Sequence, residues 1–236
     1  MTNIKEIFTL LFIIVLLFCS VILMESPAVS VLNQSTIPPS KTFTVVIDAG
    51  HGGFDSGKVG IDGTLEKDIN LSISKKLEKL LCAADIKVLM TRTEDTELST
   101  DSAQNKKRQD MLNRATFMNE ANADCIISIH QNSYPEESID GAQVFYYTES
   151  DTGHTLAALI QNALIHDVDP SNHRIEKSND SYYLLKNVSA PIVIVECGFL
   201  SNFAESKKLV DDTYQQKLAW AIHIGILQYL NGATPN

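Results

Sequence analysis

Apolar positions along this chain fall into short unbroken runs separated by stretches of helical spacing. "FTVVID" (43–48), "IKVLM" (86–90), "CIISIH" (125–130), "GAQVFYY" (141–147) and "PIVIVE" (191–196) predict strands, most of them covered on both faces. "YYLL" (182–185) adds a short candidate strand. Between them, Ile69, Ile73, Leu77, Leu80 and Leu81 share one face of a helix that carries Lys75, Lys76 and Lys79 outside. A second helix is predicted over 104–121, with Met111, Leu112, Ala115 and Met118 on its inner face. Others centre on Leu156, Leu159, Ile160 and Leu164, and on Tyr214, Leu218, Ile222 and Ile226. Strands alternating with helices predict an α/β domain, a mostly parallel sheet flanked by helices. No internal repeat is visible.

The N-terminal pattern differs. Ile7 to Met24 is eighteen residues without a charge, just long enough to cross a bilayer core as a helix. Lys5 and the terminal amine precede it and Glu25 follows, which puts the N-terminus inside and the rest of the chain outside. An anchor and a cleaved signal peptide both fit. The run exceeds the roughly 7–15 apolar residues of a signal core, favouring the anchor, while Ala28-Val29-Ser30 is a small-x-small cleavage site. Cys19 follows Phe18, which argues against lipidation. The expected organisation is a signal-anchor or signal peptide over 1–24, a Pro- and Ser-containing linker over 25–41 and one extracytoplasmic domain over 42–232.

The formal charge of −10, with no basic cluster, argues against nucleic acid as a partner. The four cysteines (19, 82, 125 and 197) show no CxxC spacing. Cys82 and Cys125 read as buried small hydrophobes, with a disulfide between them left open.

Candidate chemistry starts in "VVIDAGHGGFDSGKVG" (45–60), where an apolar run ends in Asp48 and His51 stands among Gly50, Gly52, Gly53 and Gly57. The spacing fits neither a dinucleotide fingerprint nor a P-loop. His130 ends another strand run and Glu196 a third, and open α/β sheets bind ligands beyond the carboxyl ends of their strands. Glu66, in "GTLEKDIN", opens the helix after the glycine loop and can lean over the same edge. Singly, His130 reads as a satisfied strand-end histidine and Glu66 as a first-turn residue favoured by the helix dipole. A carboxylate ending a buried strand, as Glu196 does, needs a partner or a task. Jointly, two histidines and a glutamate are the ligand set of hydrolytic zinc sites. Asp48 is the expected acceptor for the outer ring N–H of a ligand histidine. Asn132, two positions beyond His130, either donates to substrate or braces its loop.

"IDAGHGGFDSGKVG", "LEKDINL", the "TR" at 91–92, "ANADCIISIHQN" and "VECGFLSN", in that order, resemble the zinc-dependent N-acetylmuramoyl-L-alanine amidases of the amidase 3 family, from about Thr42 to Leu230. The resemblance implies zinc on His51, Glu66 and His130, catalysis by Glu196, and one α/β domain with a six-stranded, mainly parallel twisted sheet. It implies peptidoglycan as substrate, cut at the amide between N-acetylmuramic acid and L-alanine. The compact domain behind one N-terminal apolar segment is most similar to the germination-specific members, which act in the spore cortex ahead of muramic-δ-lactam formation. The 65 residues between His130 and Glu196 leave no room for the plugging helix of some relatives. With no wall-binding repeat in view, an activating or positioning protein partner is expected. Rival readings are a zinc peptidase cutting the stem peptide, a catalytically weak wall-binding protein, and a partner-binding protein with a structural metal. The last fits poorly, because structural zinc sites normally have four protein ligands, often cysteines.

Overall fold

In the computed structural model, residues 42–100 and 102–235 are described, together with 3, 6, 9 and 11–15. They divide into two units, Met1–Lys41 and Thr42–Asn236. In the first, residues 11–15 are helical. The rest of the apolar run at 7–24, save Thr9, and the linker at 25–41 lie outside the described residues. Among the described residues no helix is long and apolar enough to cross a membrane.

The second unit follows the alternation of its sequence. Its strands are β1 (Thr44–Ala49), β2 (Lys87–Met90), β3 (Cys125–Asn132), β4 (Gln143–Tyr146), β5 (Lys177–Ser178) and β6 (Ile192–Phe199). Its helices are α1 (Glu66–Ala83), α2 (Lys106–Glu120), α3 (Asp151–Asp167), α4 (Tyr183–Asn187), α5 (Phe203–Leu209) and α6 (Asp212–Leu230). The six strands form one sheet in the order β2-β1-β3-β6-β4-β5. Strands β2, β1, β3 and β6 run parallel. Only the β4–β6 pairing is antiparallel, so β4 and its parallel neighbour β5 run against the rest.

Alternation along the strands sends successive side chains to opposite faces, and each face has its own core. Val45, Ile47, Ile127, Ile129, Val193 and Val195 pack with Ile73 and Leu77 of α1, Leu156 and Ile160 of α3, and Leu218 and Ile222 of α6. On the other face, Val46, Ile126 and Ile194 meet Met118 of α2 and Leu184 and Leu185 of α4. Each such aliphatic side chain contributes about 1.5–3 kcal/mol by leaving water. Helices α3 and α6 approach closely at Gly225, where an added Cβ would lie 2.7 Å from the Ile160 Cα.

Three expectations need correction. "YYLL" is the start of helix α4, because Asn179 Oδ1 accepts from the backbone N–H groups of Ser181 and Tyr182 and turns the chain. The fifth strand is Lys177–Ser178 instead, paired with Phe145 and Tyr146. Leu112 is 43% exposed. One residue is a 100° step around a helix, so Met111 and Leu112 cannot both face inward, and the inner face holds Met111, Ala115 and Met118. Cys82 is exposed beside the buried Leu81, Cys125 lies buried in β3, and both are free thiols.

Candidate metal centre

Strands β1, β3 and β6 are sheet neighbours and parallel, so their carboxyl ends meet along one edge. His51 follows β1 by two residues, His130 sits in β3 at an irregularity before Asn132, and Glu196 is its register partner in β6. Glu66, the first residue of α1, completes the group.

His51 Nε2 lies 3.2 Å from Glu66 Oε1, and His130 Nδ1 lies 3.0 Å from the same oxygen. The two imidazoles stand edge to face, centroids 5.0 Å apart. One donor atom from each of His51, Glu66 and His130 falls within 4.8 Å of the others, a spacing that can hold a metal ion. Gly50 is required beside them, because a Cβ there would lie 2.3 Å from the His130 ring.

The backbone at His51 is left-handed, with φ of 61°, a conformation that costs a non-glycine residue about 1–3 kcal/mol and persists only when its surroundings impose it. Two buried arginines do so. Arg114 of α2 donates to the carbonyls of Ala49 (3.0 Å) and His51 (2.6 Å). Arg92 donates to those of Ala49 (2.9 Å) and Gly50 (3.1 Å).

Glu66 is 2% exposed and fully engaged. Its Oε2 accepts from Lys58 N at 2.7 Å, and its Oε1 from Gln131 N at 3.1 Å and Asn70 Nδ2 at 3.3 Å. Burial works against its charge, but hydrogen bonds and charge from His130 and His51 outweigh burial and hold the carboxyl far below the usual carboxylate range. The same pairing raises His130 against its own burial.

Glu196 is the opposite case. It is 7% exposed, and no described group hydrogen-bonds its Oε2. Burial is the main force pushing it up to about 7, opposed by the charge of His130, reinforced by that of Glu66, and opposed again by His51 and the Tyr182 hydroxyl. Tyr182 is itself pushed up to about 12 by burial and by the Glu196 charge. These groups line a cavity of about 590 Å³.

The outer nitrogen of His51 is held by Asp55, at 2.9 Å, and Asp48 does not take that role. Asp48 lies in β1 on the face toward α2, where it meets Arg114 and accepts from Ser128 Oγ (2.6 Å) and Thr91 Oγ1 (2.8 Å). Asp55 was legible as a carboxylate four residues past His51 in a glycine-rich turn. Arg114 was legible as a charge set among the inward positions of α2. Asn132 lines the cavity, with Oδ1 accepting from Ser133 N at 2.8 Å.

Residues 45–228 match the family described as N-acetylmuramoyl-L-alanine amidase. The chain belongs to this family. It is therefore an amidase of peptidoglycan, acting on the bond between N-acetylmuramic acid and L-alanine. The germination-specific N-acetylmuramoyl-L-alanine amidase of Bacillus subtilis (strain 168) is 35% identical over 188 residues, 78% of each chain. Among solved structures, the CwlD amidase from Clostridioides difficile, in complex with the GerS lipoprotein, is 41% identical with a TM-score of 0.79. That match covers 80% of this chain and 99% of the other. An N-acetylmuramoyl-L-alanine amidase from Clostridium difficile 630 is 34% identical with a TM-score of 0.73, covering 82% and 99%. The amidase fold thus accounts for the whole sheet and its flanking helices.

Proposed function

We propose that this amidase is a zinc enzyme of the spore cortex, with His51, Glu66 and His130 as ligands and Glu196 as the proton carrier. The observation that carries the reading is the buried, unpartnered Glu196 Oε2 beside two imidazoles and a carboxylate that converge on one cavity. Two nitrogens and one oxygen, open to a cavity, suit the three-ligand zinc sites of hydrolases. Zinc held there supplies Lewis acidity toward the scissile carbonyl and acidifies water.

The chain's own groups do the rest. Glu196 Oε2 takes the proton of the attacking water and returns it to the amine of the departing L-alanine, general acid–base work that contributes roughly 10²–10⁴ in rate. Asp55 holds the outer nitrogen of His51 and so keeps its Nε2 toward Glu66. Asn132, oriented through its own Oδ1, serves the substrate side of the cavity.

The cortex setting, with cleavage ahead of muramic-δ-lactam formation, is supported by the similarity to the germination-specific Bacillus relative. Residues 1–24 deliver the domain across the membrane, as an anchor or a removed signal, with 25–41 as linker and 42–232 as the catalytic domain. A positioning or activating protein partner accords with the lipoprotein complex formed by the Clostridioides neighbour.

The test is digestion of purified cortex peptidoglycan by the zinc-loaded domain, with the new termini identified by mass spectrometry. Free L-alanine amines and intact lactyl carboxylates are expected. New termini inside the stem peptide would make the enzyme a peptidase instead.

A further inference from the structure

Lys58 stands on the cavity wall with its backbone held beside Glu66, and among the described residues no hydrogen bond or ion pair takes up its amine. Its backbone is tied to Glu66 on both sides: Lys58 N donates to Glu66 Oε2 at 2.7 Å, and Glu66 N donates to Lys58 O at 3.0 Å. The preceding Gly57 has φ of 67°, and a Cβ there would fall 2.5 Å from Glu66 Oε2 and 2.7 Å from the His51 ring. The chain therefore passes the ligand residues at the closest approach a backbone permits, and Lys58 enters the cavity lining at a set position.

Neighbouring lysines have carboxylates. Lys107, also on the cavity wall, faces Asp55 at 3.5 Å. Lys67 meets Asp95 at 2.7 Å and Lys106 meets Glu97 at 3.3 Å. Lys58 is exposed and has no carboxylate partner among the described residues, in a chain whose formal charge is −10. An amine with no acidic partner among the described residues is available to an acid of the substrate.

The substrate carries one two residues from the bond that is cut. In a stem peptide the residue after L-alanine is an acidic D-glutamate joined through its side-chain carboxyl, so its α-carboxylate lies two residues from the scissile amide. Two residues of extended chain span about 7 Å, within the sweep of a four-carbon lysine stem rooted next to Glu66.

We propose that Lys58 binds the free carboxylate of the second stem-peptide residue and makes the enzyme selective for stem peptides in which that group is not amidated. The proposal rests on the amidase reading above. A charge-assisted contact at a partly solvated site is worth roughly tenfold in affinity.

Two soluble muropeptides differing only in D-glutamate or D-isoglutamine at the second position decide it. They are cut by the zinc-loaded wild type, Lys58→Ala, Lys58→Arg and, as a charge-matched control on the outer face of α1, Lys75→Ala. The wild type and Lys75→Ala are expected to favour the carboxylate form by roughly tenfold in kcat/KM, mostly through KM. Lys58→Ala should lose that preference with little change in kcat, and Lys58→Arg should keep most of it. Binding of the two released peptides, followed by calorimetry, should show the same order. Equal cutting of both substrates by the wild type, or an undiminished preference in a folded, zinc-loaded Lys58→Ala, overturns the proposal. Failure of the wild type to cut either substrate overturns the amidase reading, and this inference with it.

Discussion

Asp55 Oδ2 lies 2.9 Å from His51 Nδ1, and this contact leaves the other ring nitrogen, Nε2, turned to Glu66. Burial opposes the charge on Asp55, but the hydrogen bond and charge of His51, the Gly57 N–H and Lys107 together hold it ionised below the usual range. Outer partners of this kind typically govern metal affinity by about 10–100-fold. Asp55→Ala should therefore weaken zinc binding by that factor while leaving the fold intact. Titration against a competing chelator measures it, and an unchanged affinity would show that the ring is oriented by other means.

Glu196→Gln separates proton transfer from metal binding. The amide cannot accept a proton, so turnover should fall by roughly 10²–10⁴ while zinc content stays near that of the wild type. Equal loss of both would make Glu196 a ligand. The acid limb of kcat/KM carries further information. Only the ionised carboxylate accepts a proton, and burial raises Glu196 to about 7. Activity should decline as pH falls, and a cation bound nearby moves that decline below 7. A decline centred well above 7 would point to another group.

Arg114 joins stability to the site. It is 2% exposed and lies between Asp48 and Asp110 while holding the His51 carbonyl. Arg114→Met would leave the Asp48 carboxylate buried without its counter-charge, a change that typically costs about 3–5 kcal/mol. Urea denaturation should show a loss of that size. A loss under 1 kcal/mol would mean that Ser128 and Thr91 suffice.

His223 of α6 links stability to pH. It is buried, its Nδ1 has no hydrogen-bond partner among the described groups, and burial lowers its pKa from the ordinary 6.5. The unfolded chain then binds a proton that the folded one refuses. The stability it contributes is complete above about 6.5 and is lost as pH falls through the lower folded value. Between pH 7.5 and 5, His223→Leu should lose less stability than the wild type. Parallel losses in denaturant titrations at each pH would refute the assignment.

His51, His130 and Glu196 were readable because buried parallel strands announce themselves as apolar runs, and a polar residue that interrupts or follows such a run is conspicuous, although β3 continues past His130 to Asn132 and β6 past Glu196 to Phe199. Glu66 was readable as the residue opening the next helix. Strand direction was less accessible: "QVFY" in β4 carries nothing that distinguishes antiparallel from parallel pairing. The misreading of "YYLL" has the same origin, since four apolar residues suit either state and the Asn179 turn decides. Asp48 attracted attention by sequence proximity to His51, but alternation within β1 sends it to the face where Arg114 waits. Asp55 and Arg114 act through contacts that only the folded chain brings about.

The order of the central strands would fix when a metal held at this edge could act. Strand β1 pairs with β3 through residues such as Asp48 and Ser128, eighty positions apart, and β3 then pairs with β6. Pairings of such long range are slow to form, and His51, His130 and Glu196 come together only where both pairings are in place. An ion that binds only the finished edge leaves the folding limb of a chevron where it was and lowers the unfolding limb. Zinc would thus lengthen the life of the folded domain without hastening its birth, and stopped-flow refolding with and without the metal would read that difference directly.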